Sequence, residues 1–448
     1  MSSPYDLNYL TEGIKNKNLI ITVAGLGYVG LPSAIAFHEA GFTVRGLDTS
    51  EEVITSLSKG ESRVLGEFGG SLPSGLRWGL FSKYEECIPG ADVVIICVPT
   101  PVDKDMKPDL TAVRHSLDSV ISSRNADSNL VVILESTVQP GTTRESIAHT
   151  LSSHDDDGDG LSIAYCPERI SPGEDGFGVG EVSRVIGAET EELAEALSSL
   201  YGSITNGQIF PVSSIEVAEA SKLVENAQRD IDLAFSNELS ILMPKLNLDV
   251  EEVLDAASTK WNFHRHTPGM GVGGHCIPID PHYYMEIARK YGVNSSLSTA
   301  ARELNFSMPI HNANEVFRLY GGIPDKVLVL GYAYKPNVND SRETPVKPFI
   351  SYLFDSGVSQ VVVWDPMVQD IKMPESATKI ETLSDAHSVD CIVIGTAHDE
   401  IVNLDWKRLF EISNTSFLYD SRRCLVPEEM EEIGWNFHAI GRPIKSRL

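Results

Sequence analysis

The sequence has few of the features that mark membrane, secreted or nucleic-acid-binding proteins. Its 448 residues contain no apolar run of about 18 residues, so no segment is predicted to span a membrane. Residues 1–10 have no basic region followed by an apolar one, which argues against a secretory signal and favours a cytoplasmic location. Acidic residues outnumber basic ones by 63 to 36. The resulting net charge of -27 disfavours binding to nucleic acid or anionic lipid, and it fits either a salt-rich cytoplasm or an ordinary soluble surface.

Cysteine is also scarce and scattered. The six cysteines form no C-x-x-C pair and no cluster with histidine at zinc-site spacing, so neither a disulfide framework nor a metal site is predicted. A hydrophobic content of 42% with 22% charged residues is typical of a globular protein. The length predicts about three domains.

The first recognisable motif is a glycine-rich turn near the N-terminus. Residues 19–24 form a short apolar strand, Gly25-Leu-Gly27-Tyr-Val-Gly30 follows at once, and a helix comes next. A second strand then ends in Asp48. This order predicts a Rossmann dinucleotide site in which the helix N-terminus faces the pyrophosphate and the acid binds a ribose diol, favouring NAD over NADP. The alternative is a tight strand-to-helix turn without a ligand.

Further apolar strands are predicted at residues 91–98, 130–134 and 163–165. Loops at the carboxyl ends of parallel strands border the ligand in such sheets, which makes Thr100 and Thr137 candidate cofactor contacts. The competing interpretation is that both threonines cap helices. Together these segments predict an N-terminal NAD-binding domain at residues 1–210.

Residues 214–243 lack glycine and proline and predict one long helix, with Ser213 and Glu216 as a capping box. Lys222 and Asn226 lie four residues apart and therefore on one face, although a solvated face with paired charges is the simpler reading. A helix of this length suits a domain linker and a dimer contact within a central helical region at residues 211–308. Six residues are predicted to form its apolar stripe: Val217, Leu223, Val224, Ile231, Ala234 and Phe235.

A loop at residues 269–284 places Cys276 between a glycine run and a Pro-x-Asp-Pro segment. The glycines let the backbone approach a ligand closely, and Asp280 lies four residues after the thiol, so Cys276 is a candidate nucleophile. The alternative is a surface turn with a buried, inert cysteine.

The C-terminal third repeats an α/β pattern, with short apolar strands at residues 326–331, 360–365, 390–395 and 416–420. Its first strand lacks the dinucleotide fingerprint, but the loop after it carries Lys335 and Arg342, which either bind a nucleotide or are solvated. The predicted fold class is therefore α/β, with two Rossmann-like parallel-sheet domains joined by a long central helix and a helical region. The second sheet domain is predicted at residues 309–448.

Eight ordered motifs resemble the UDP-glucose/GDP-mannose dehydrogenase family from Gly25 to about residue 425. They are the Gly25–Gly30 turn, Val98-Pro-Thr-Pro101, Glu135-Ser-Thr-Val-x-Pro-Gly-Thr-Thr143, Pro167-Glu-Arg169, Lys222-x-x-x-Asn226, Gly273-Gly-His-Cys-Ile-Pro-x-Asp280, Ala333-Tyr-Lys-Pro336 with Asp340-x-Arg342, and Asp420-x-Arg422.

The resemblance implies oxidation of a nucleotide sugar's C6 alcohol to a carboxylate with reduction of two NAD. Cys276 is then the nucleophile that forms a thiohemiacetal and later a thioester. Lys222 stabilises the oxyanion, Asn226 adds a hydrogen bond, and Asp280 assists in handling protons and water. Glu168 is the general base for thioester hydrolysis, and Thr137 positions water or cofactor.

The same resemblance implies which residues bind the ligands. Arg265 resembles an arginine that family members send into the neighbouring subunit's site, which implies a homodimer or higher oligomer. The implied cofactor residues are Gly25, Gly27, Tyr28, Val29, Gly30, Asp48, Thr100, Thr137 and Arg342. The implied substrate residues are Glu168, Arg169, Lys222, Asn226, Arg265, Gly273, Lys335 and Arg422.

The Gly-Gly-His-Cys and Tyr-Cys-Pro-Glu-Arg segments resemble the branch that acts on UDP-N-acetylhexosamines, with UDP-N-acetyl-D-mannosamine the preferred substrate. Gln228, Met270 and Asn339 depart from the family pattern, and the segment between Asp48 and Cys87 is shorter than usual. The alternatives are UDP-N-acetylglucosamine or UDP-glucose as substrate, a catalytically silent nucleotide-binding protein, and a two-electron dehydrogenase.

Overall fold

A computed structural model describes residues 6–66, 72–73, 78–125, 128–154, 156–170, 178–368, 373–374 and 377–444. The chain forms two units. One comprises Met1–Glu225 with His282–Gly292, and the other comprises Asn226–Pro281 with Val293–Leu448.

The first unit alternates strands and helices through most of its length. Its strands are β1 (Ile20–Ala24), β2 (Thr43–Leu47), β3 (Gly79–Phe81), β4 (Val93–Ile96), β5 (Leu130–Leu134), β6 (Leu161–Tyr165), β7 (Arg184–Ala188) and β8 (Ile209–Val212). Its helices are α1 (Leu7–Asn16), α2 (Gly30–Glu39), α3 (Glu51–Ser58), α4 (Arg63–Gly66), α5 (Tyr84–Cys87), α6 (Thr111–Ser123), α7 (Thr142–Ser153) and α8 (Glu191–Tyr201).

These strands form one sheet in the order β3-β2-β1-β4-β5-β6-β7-β8. Neighbouring strands run parallel except for the antiparallel pair β6 and β7. Successive residues of β4 enter opposite apolar clusters, with Val93 and Ile95 on one face and Val94 and Ile96 on the other. Both faces are therefore buried, which explains why the central strands read as continuous apolar runs.

The long helix α9 (Ile215–Leu242) continues into a 3₁₀ turn, Met243–Leu246, and the division between the two units falls within it. The later helices are α10 (Val250–Ser258), α11 (Asp280–Lys290), α12 (Ser296–Tyr320), α13 (Val346–Asp355), α14 (Asp399–Val402), α15 (Trp406–Ser413) and α16 (Pro427–Ile433), with a 3₁₀ turn at Leu383–Asp385. The later strands are β9 (Lys326–Leu330), β10 (Gln360–Trp364), β11 (Ala377–Lys379), β12 (Cys391–Ile394), β13 (Phe417–Asp420) and β14 (Asn436–Ala439).

The second unit's sheet has the order β11-β10-β9-β12-β13-β14, and all its neighbouring pairs are parallel. Val327 and Val329 of β9 enter one apolar cluster, and Leu328 and Leu330 enter another. In both sheets the order reverses beside the first strand, between β1 and β4 and between β9 and β12. Loops at such a switch point form the ligand crevice of doubly wound sheets.

The predicted fold class is confirmed: two Rossmann-like parallel-sheet domains accompany a long central helix. The sequence missed five strands, β3, β7, β8, β11 and β14. The three-domain division stays a prediction. Within the described ranges, no helix is both long and apolar enough to cross a membrane.

The prediction that six residues of α9 form one apolar stripe is wrong, because they do not share a single buried face. Leu223 and Ala234 are buried, whereas Val217, Val224 and Phe235 are 45%, 55% and 53% exposed. The cap is also shifted by one residue, because the hydroxyl of Ser214, rather than Ser213, accepts the Val217 N–H at 3.3 Å. Small residues and a buried carboxylate, Asp230, complete the buried side, which apolar periodicity alone does not reveal.

Candidate active site

The glycine turn after β1 is held by close backbone contacts. Gly25 has φ +93°, and a Cβ there would lie 2.7 Å from the Cys97 carbonyl oxygen. A Cβ on Gly30 would lie 1.9 Å from the Gly25 carbonyl oxygen. Both positions therefore require glycine for the turn itself.

Gly27 differs, because a Cβ there would meet no heavy atom within 4 Å in the described structure. Val29 precedes the first residue of α2 and provides no side-chain cap, so no side chain of that residue covers the helix N-terminus. Within the first turn, the Leu31 N–H donates to the Gly27 carbonyl oxygen at 3.1 Å. The open space above Gly27 and this helix end fit the pyrophosphate of NAD. Tyr28, like Val29, is half-buried within the same turn.

Asp48 follows β2, as predicted, and holds the glycine turn. Its Oδ2 accepts the Leu26 N–H at 2.9 Å, and its Oδ1 accepts the Ser50 N–H at 2.9 Å. A carboxylate has lone pairs beyond these two, so it retains acceptor capacity for a ribose diol.

Thr100 and Thr137 lie in the loops after β4 and β5, and neither caps a helix. The residues that precede α6 and α7 are Leu110 and Gly141, and neither supplies a side-chain cap. Thr100 is 8% exposed, and its carbonyl oxygen accepts the Tyr283 hydroxyl at 3.0 Å. The capping interpretation is therefore wrong for both threonines.

Glu168 and Lys222 come together in the first unit. The ammonium of Lys222, on α9, donates to the Glu168 carbonyl oxygen at 2.5 Å. The carboxylate of Glu168 is 5% exposed, and its Oε1 accepts the N–H groups of Arg169 and Ile170, each at 2.6 Å. Arg169 itself pairs with Glu225 through its guanidinium.

Asn226, Asp280 and Cys276 come together in the second unit. The Asn226 amide donates to Asp280 Oδ2 at 2.5 Å, and Asp280 is 3% exposed. The Cys276 carbonyl oxygen accepts the Asp280 N–H at 2.8 Å, which closes one turn between the thiol residue and the carboxylate. Cys276 is exposed, unlike the other five cysteines, so the buried and inert alternative is wrong.

The glycines beside Cys276 permit close packing against the loop after β9. A Cβ on Gly273 would lie 2.7 Å from the Glu343 carbonyl oxygen, and one on Gly274 would lie 2.7 Å from the Tyr334 ring. The Gly274 N–H also donates to the Arg342 carbonyl oxygen at 3.2 Å. Burial, followed by the charge of Arg342, lowers the pKa of His275, so this imidazole is neutral at pH 7.

The candidate basic residues of the second unit lie in loops that follow the carboxyl ends of its strands. Lys335 is half-buried in the loop after β9, and the Arg342 guanidinium pairs with Asp340 at 2.6 Å. Arg422 follows β13; its Nε donates to the Gly395 carbonyl oxygen at 2.6 Å. Its Nη2 is buried without a hydrogen-bond partner among the described atoms, and burial lowers the pKa of Arg422 to about 10. An unsatisfied guanidinium nitrogen of this kind suits an anionic ligand.

Arg265 lies outside both groups. It is exposed and pairs with Glu251 and, at 3.2 Å, with Asp255 of its own chain. Over the ranges that the structure describes, histidine, cysteine and acidic side chains form no group of three able to hold a metal ion.

Sequence reasoning missed Arg184, the first residue of β7. Its side chain is 0% exposed and lies near Glu168 and Glu135. The only sequence signal was a charge at the head of the apolar run Arg-Val-Ile-Gly-Ala.

Comparison with known proteins places three family domains along the chain. The NAD binding domain of the UDP-glucose/GDP-mannose dehydrogenase family matches residues 19–205, its central domain matches 216–307, and its UDP binding domain matches 328–427. The chain is therefore an NAD-dependent oxidoreductase with a UDP-binding domain.

Individual relatives match over nearly the full chain. A UDP-N-acetyl-D-glucosamine 6-dehydrogenase of Pseudomonas aeruginosa is 33% identical over 93% of this chain and 99% of its own. A UDP-N-acetyl-D-mannosamine dehydrogenase of Pyrococcus horikoshii is 33% identical over 94% of this chain and 99% of its own. The solved structure of the UDP-D-ManNAc dehydrogenase from Pyrococcus horikoshii has a TM-score of 0.82 at 30% identity, covering 95% of this chain and 99% of its own. With all three domain models matched in order, the chain belongs to the UDP-glucose/GDP-mannose dehydrogenase family.

Proposed function

We propose that the protein oxidises the C6 alcohol of a UDP-N-acetylhexosamine to the uronate, with UDP-N-acetyl-D-mannosamine as the preferred substrate. The observation that carries this proposal is the exposed Cys276 on a glycine loop, one turn before a buried Asp280 that Asn226 binds. A thiol in this setting is accessible to a carbonyl carbon.

The chemistry requires a covalent stage because an aldehyde has no second hydride to give until a nucleophile adds to it. NAD, which the Gly25–Gly30 turn and Asp48 would hold, would supply the hydride acceptor for both oxidations. Between these steps the Cys276 thiolate adds to the aldehyde carbon to form a thiohemiacetal. Lys222 and Asn226 stabilise its oxygen, and loss of the second hydride leaves a thioester on the sulfur.

Hydrolysis then releases the product. Glu168 takes a proton from water while the water oxygen adds to the thioester carbon, the carbon–sulfur bond breaks, and Cys276 leaves as a thiolate. Asp280 assists in proton handling, and Thr137 positions water or cofactor. The Lys222 contact with the Glu168 carbonyl oxygen supports a shared role for these two residues.

The ligand assignments follow the two switch points. NAD is assigned to Gly25, Gly27, Tyr28, Val29 and Gly30, supported by the open space above Gly27. Further cofactor contacts are Asp48, Thr100, Thr137 and Arg342, and the UDP-sugar is assigned to Gly273, Lys335, Arg422 and Arg169 beside the catalytic residues.

The domains are assigned as residues 1–210 for NAD, 211–308 for dimerisation and the cysteine loop, and 309–448 for the UDP-sugar. The enzyme is a homodimer or higher homo-oligomer in which Arg265 reaches the neighbouring site. Exposure of Val217, Val224 and Phe235 on α9 supports an apolar contact between copies.

Relatives named for UDP-N-acetylmannosamine and for UDP-N-acetylglucosamine match equally well, at 33% identity. The choice between these epimers therefore depends on experiment. UDP-N-acetylglucosamine and UDP-glucose are the competing substrates.

A panel of UDP-sugars with NADH counted per sugar consumed tests the proposal. We expect two NADH per UDP-N-acetyl-D-mannosamine, because both oxidations occur before release. One NADH per sugar would identify a two-electron dehydrogenase, and no turnover of any sugar would favour a silent nucleotide-binding protein.

Cys276→Ser is expected to abolish net two-NADH turnover, because an alkoxide leaving group and a poorer nucleophile replace the thiolate. Cys87→Ser, at a buried cysteine that ends α5 and is not among the proposed site residues, is the control and should keep activity. Full turnover by Cys276→Ser would overturn the covalent mechanism.

A further inference from the structure

A buried cluster of charges lies behind Glu168 in the first unit. Arg184 opens β7 with its side chain 0% exposed, and its Nη2 lies 2.9 Å from Glu168 Oε2. Its Nη1 lies 3.5 Å from Oε1 of Glu135, which follows β5 and is 3% exposed. One guanidinium therefore stands between two buried carboxylates from different strand ends.

The second carboxylate has its own partners. The Tyr201 hydroxyl, from α8, donates to Glu135 Oε1 at 2.6 Å, and the Cys97 thiol lies 3.4 Å from Glu135 Oε2. The Arg184 guanidinium also lies 5.1 Å from the Tyr201 ring centre. The pKa of Glu135 is raised to about 7: burial is the main cause, the charge of Arg184 opposes the rise, and the charge of Glu168 adds to it.

The cation at the centre stays charged. Burial opposes its charge, but Glu168 and Glu135 outweigh burial and raise the pKa of Arg184 above its usual value. Its Nη1 and Nη2 lie within ion-pair distance of the two carboxylates but make no hydrogen bond to them in the part of the chain that the structure describes, so Arg184 acts on both through its charge in a dry interior.

The two carboxylate oxygens of Glu168 have different surroundings: Oε1 is hydrogen-bonded, whereas Oε2 is buried beside the charge of Arg184 without a hydrogen bond to any described residue. Oε1 receives the Arg169 and Ile170 N–H groups, whereas Oε2 faces Arg184. The same residue's carbonyl oxygen receives Lys222. Arg184 thus connects the interior of the sheet to Glu168, the proposed base. Glu168 in turn contacts Lys222, the lysine proposed to stabilise the oxyanion.

We propose that Arg184, shared with Glu135, is a positioning residue that orients the Glu168 carboxylate for thioester hydrolysis. The inference rests on the proposed function and assigns no contact between Arg184 and the substrate. The inference predicts that loss of Arg184 slows hydrolysis but not the two oxidations. The reason is that Glu168 takes the proton of the attacking water and does not take part in hydride loss.

The test is pre-steady-state turnover of Arg184→Lys with saturating UDP-sugar and NAD. Lysine keeps the charge but lacks the planar fork, so we expect a burst of two NADH per subunit followed by turnover slowed on the order of a hundredfold. Acid-quenched samples should carry the acyl group on the Cys276 peptide, detected as a mass increase. The inference would be overturned if Arg184→Lys showed no burst and turned over at the parent rate per folded subunit.

The matched control is Arg124→Lys. Arg124 is also a largely buried arginine of the first unit, with a side chain 4% exposed and paired to Asp156 at 2.6 Å. This variant should show no acyl-enzyme accumulation, because the pair lies outside the proposed machinery. Equal accumulation in both variants would mean a general loss of structure.

Glu135→Gln provides a second test if Arg184→Lys does not fold. The charged or titratable groups around Glu135 are Cys97, Cys166, Glu168, Arg184 and Tyr201. Because burial raises the pKa of Glu135 to about 7, the parent loses the Glu135 charge as the pH falls below 7, whereas glutamine removes it at every pH. The single-turnover hydrolysis rates of parent and variant should therefore agree in acid and differ above pH 7, where only the parent shares Arg184 between two charged carboxylates. Equal rates above pH 7 contradict the inference.

The two proposals fail in different ways. Unimpaired Cys276→Ser turnover would remove the thioester and with it the proposed function. An inactive Cys276→Ser together with an Arg184→Lys enzyme of normal hydrolysis rate would remove only the role of Arg184.

Discussion

Asp365 illustrates how one buried residue stabilises a loop, here the loop that is proposed to bind the substrate. The carboxylate follows β10; its Oδ2 accepts the Tyr332 and Ala333 N–H groups at 2.5 and 3.0 Å, and lies 3.1 Å from His398 Nε2. Because His398 Nδ1 accepts the Asn337 N–H at 2.9 Å, Nε2 carries the ring proton and donates it to Asp365. These contacts fix both ends of the segment that carries Lys335.

The pKa of Asp365 predicts an acid-dependent stability. Burial opposes the charge, but His398 and the backbone N–H groups outweigh burial and lower the pKa of Asp365 to about 2 from 3.8. The folded-state pKa lies below the unfolded one, so the stabilisation is complete above about pH 4 and is lost as the pH falls towards 2. The shift corresponds to about 2 kcal/mol.

Asp365→Asn should therefore destabilise the protein by about 2–4 kcal/mol at pH 7, and the difference from the parent should shrink by about 2 kcal/mol towards pH 2. Urea unfolding at a series of pH values measures both quantities. Asp355→Asn, at an exposed position at the end of α13, is the control and should leave the unfolding free energy unchanged within about 0.5 kcal/mol. A pH-independent difference for Asp365→Asn contradicts the assignment.

At the scale of the element, both sheets have an aspartate after the second strand that binds the backbone of the loop after the first strand. Asp48 follows β2 and accepts the Leu26 N–H from the loop after β1, while Asp365 follows β10 and accepts N–H groups from the loop after β9. An acid after the second strand thus orders the loop after the first strand in each case. The sequence motif predicts Asp48, but it assigns the residue to ribose alone and misses this backbone contact.

The glycine turn supports a prediction that separates folding from binding. Gly27→Ala should fold normally, because the added methyl group meets no neighbour, but should weaken NAD binding on the order of tenfold or more by filling the space assigned to the pyrophosphate. Gly30→Ala should destabilise the first unit by about 1–3 kcal/mol because its Cβ collides with the Gly25 carbonyl oxygen. Calorimetric NAD titration and urea unfolding measure the two effects.

Gly180→Ala is the control, since a Cβ there also meets nothing within 4 Å in the described structure. It should change neither quantity. Unchanged NAD affinity in Gly27→Ala would remove this turn from the cofactor site.

Edge strands explain most of the elements that sequence reasoning missed. β3, β8 and β11 are short, and their residues are half-buried or exposed. They lie at sheet edges and need no continuous apolar run, so their composition resembles that of loops. β7 is fully buried but begins with Arg184. A charged first residue does not suggest a buried strand in sequence, because the two carboxylates that pair with it are distant along the chain.

At the scale of the whole molecule, the two sheets share the strand order 3-2-1-4-5-6 when each is numbered from its own first strand. Each therefore has one switch point, beside which lie the Gly25–Gly30 turn after β1 and the Lys335 loop after β9. A net charge of -27 opposes phosphate binding over the surface as a whole, which is why local basic groups such as Lys335 and Arg422 are the ones proposed to hold phosphate.

Subunit mixing tests whether the molecule works as an oligomer with a shared arginine. Homodimers of Arg265→Ala and homodimers of Cys276→Ser should each be inactive. In a mixed dimer, the Arg265→Ala subunit keeps Cys276 and receives Arg265 from the Cys276→Ser subunit, so one of the two sites is complete. Random mixing should then recover about a quarter of the parent activity, measured as NADH production. Activity that stays absent after verified mixing would assign Arg265 to its own chain, where it now pairs with Glu251 and Asp255.

The sequence by itself determined the order in which the candidate site residues follow one another along the chain. Strand, turn and helix signals are local in sequence, so they could be recognised without the structure. They identified the Gly25–Gly30 turn, Asp48, the Lys222 to Asn226 spacing and the Cys276 loop. The fold class followed from the same local signals repeated in both halves.

Only the tertiary structure decided which side chains meet. Arg184, Glu135 and Glu168 belong to three different strands or strand ends, and their contact depends on sheet order and on the antiparallel insertion of β7. The same holds for Asp365 with His398 and for the exposure of half of the predicted α9 stripe. Burial and long-range pairing arise from the packing of distant segments, so no local pattern of residues encodes them.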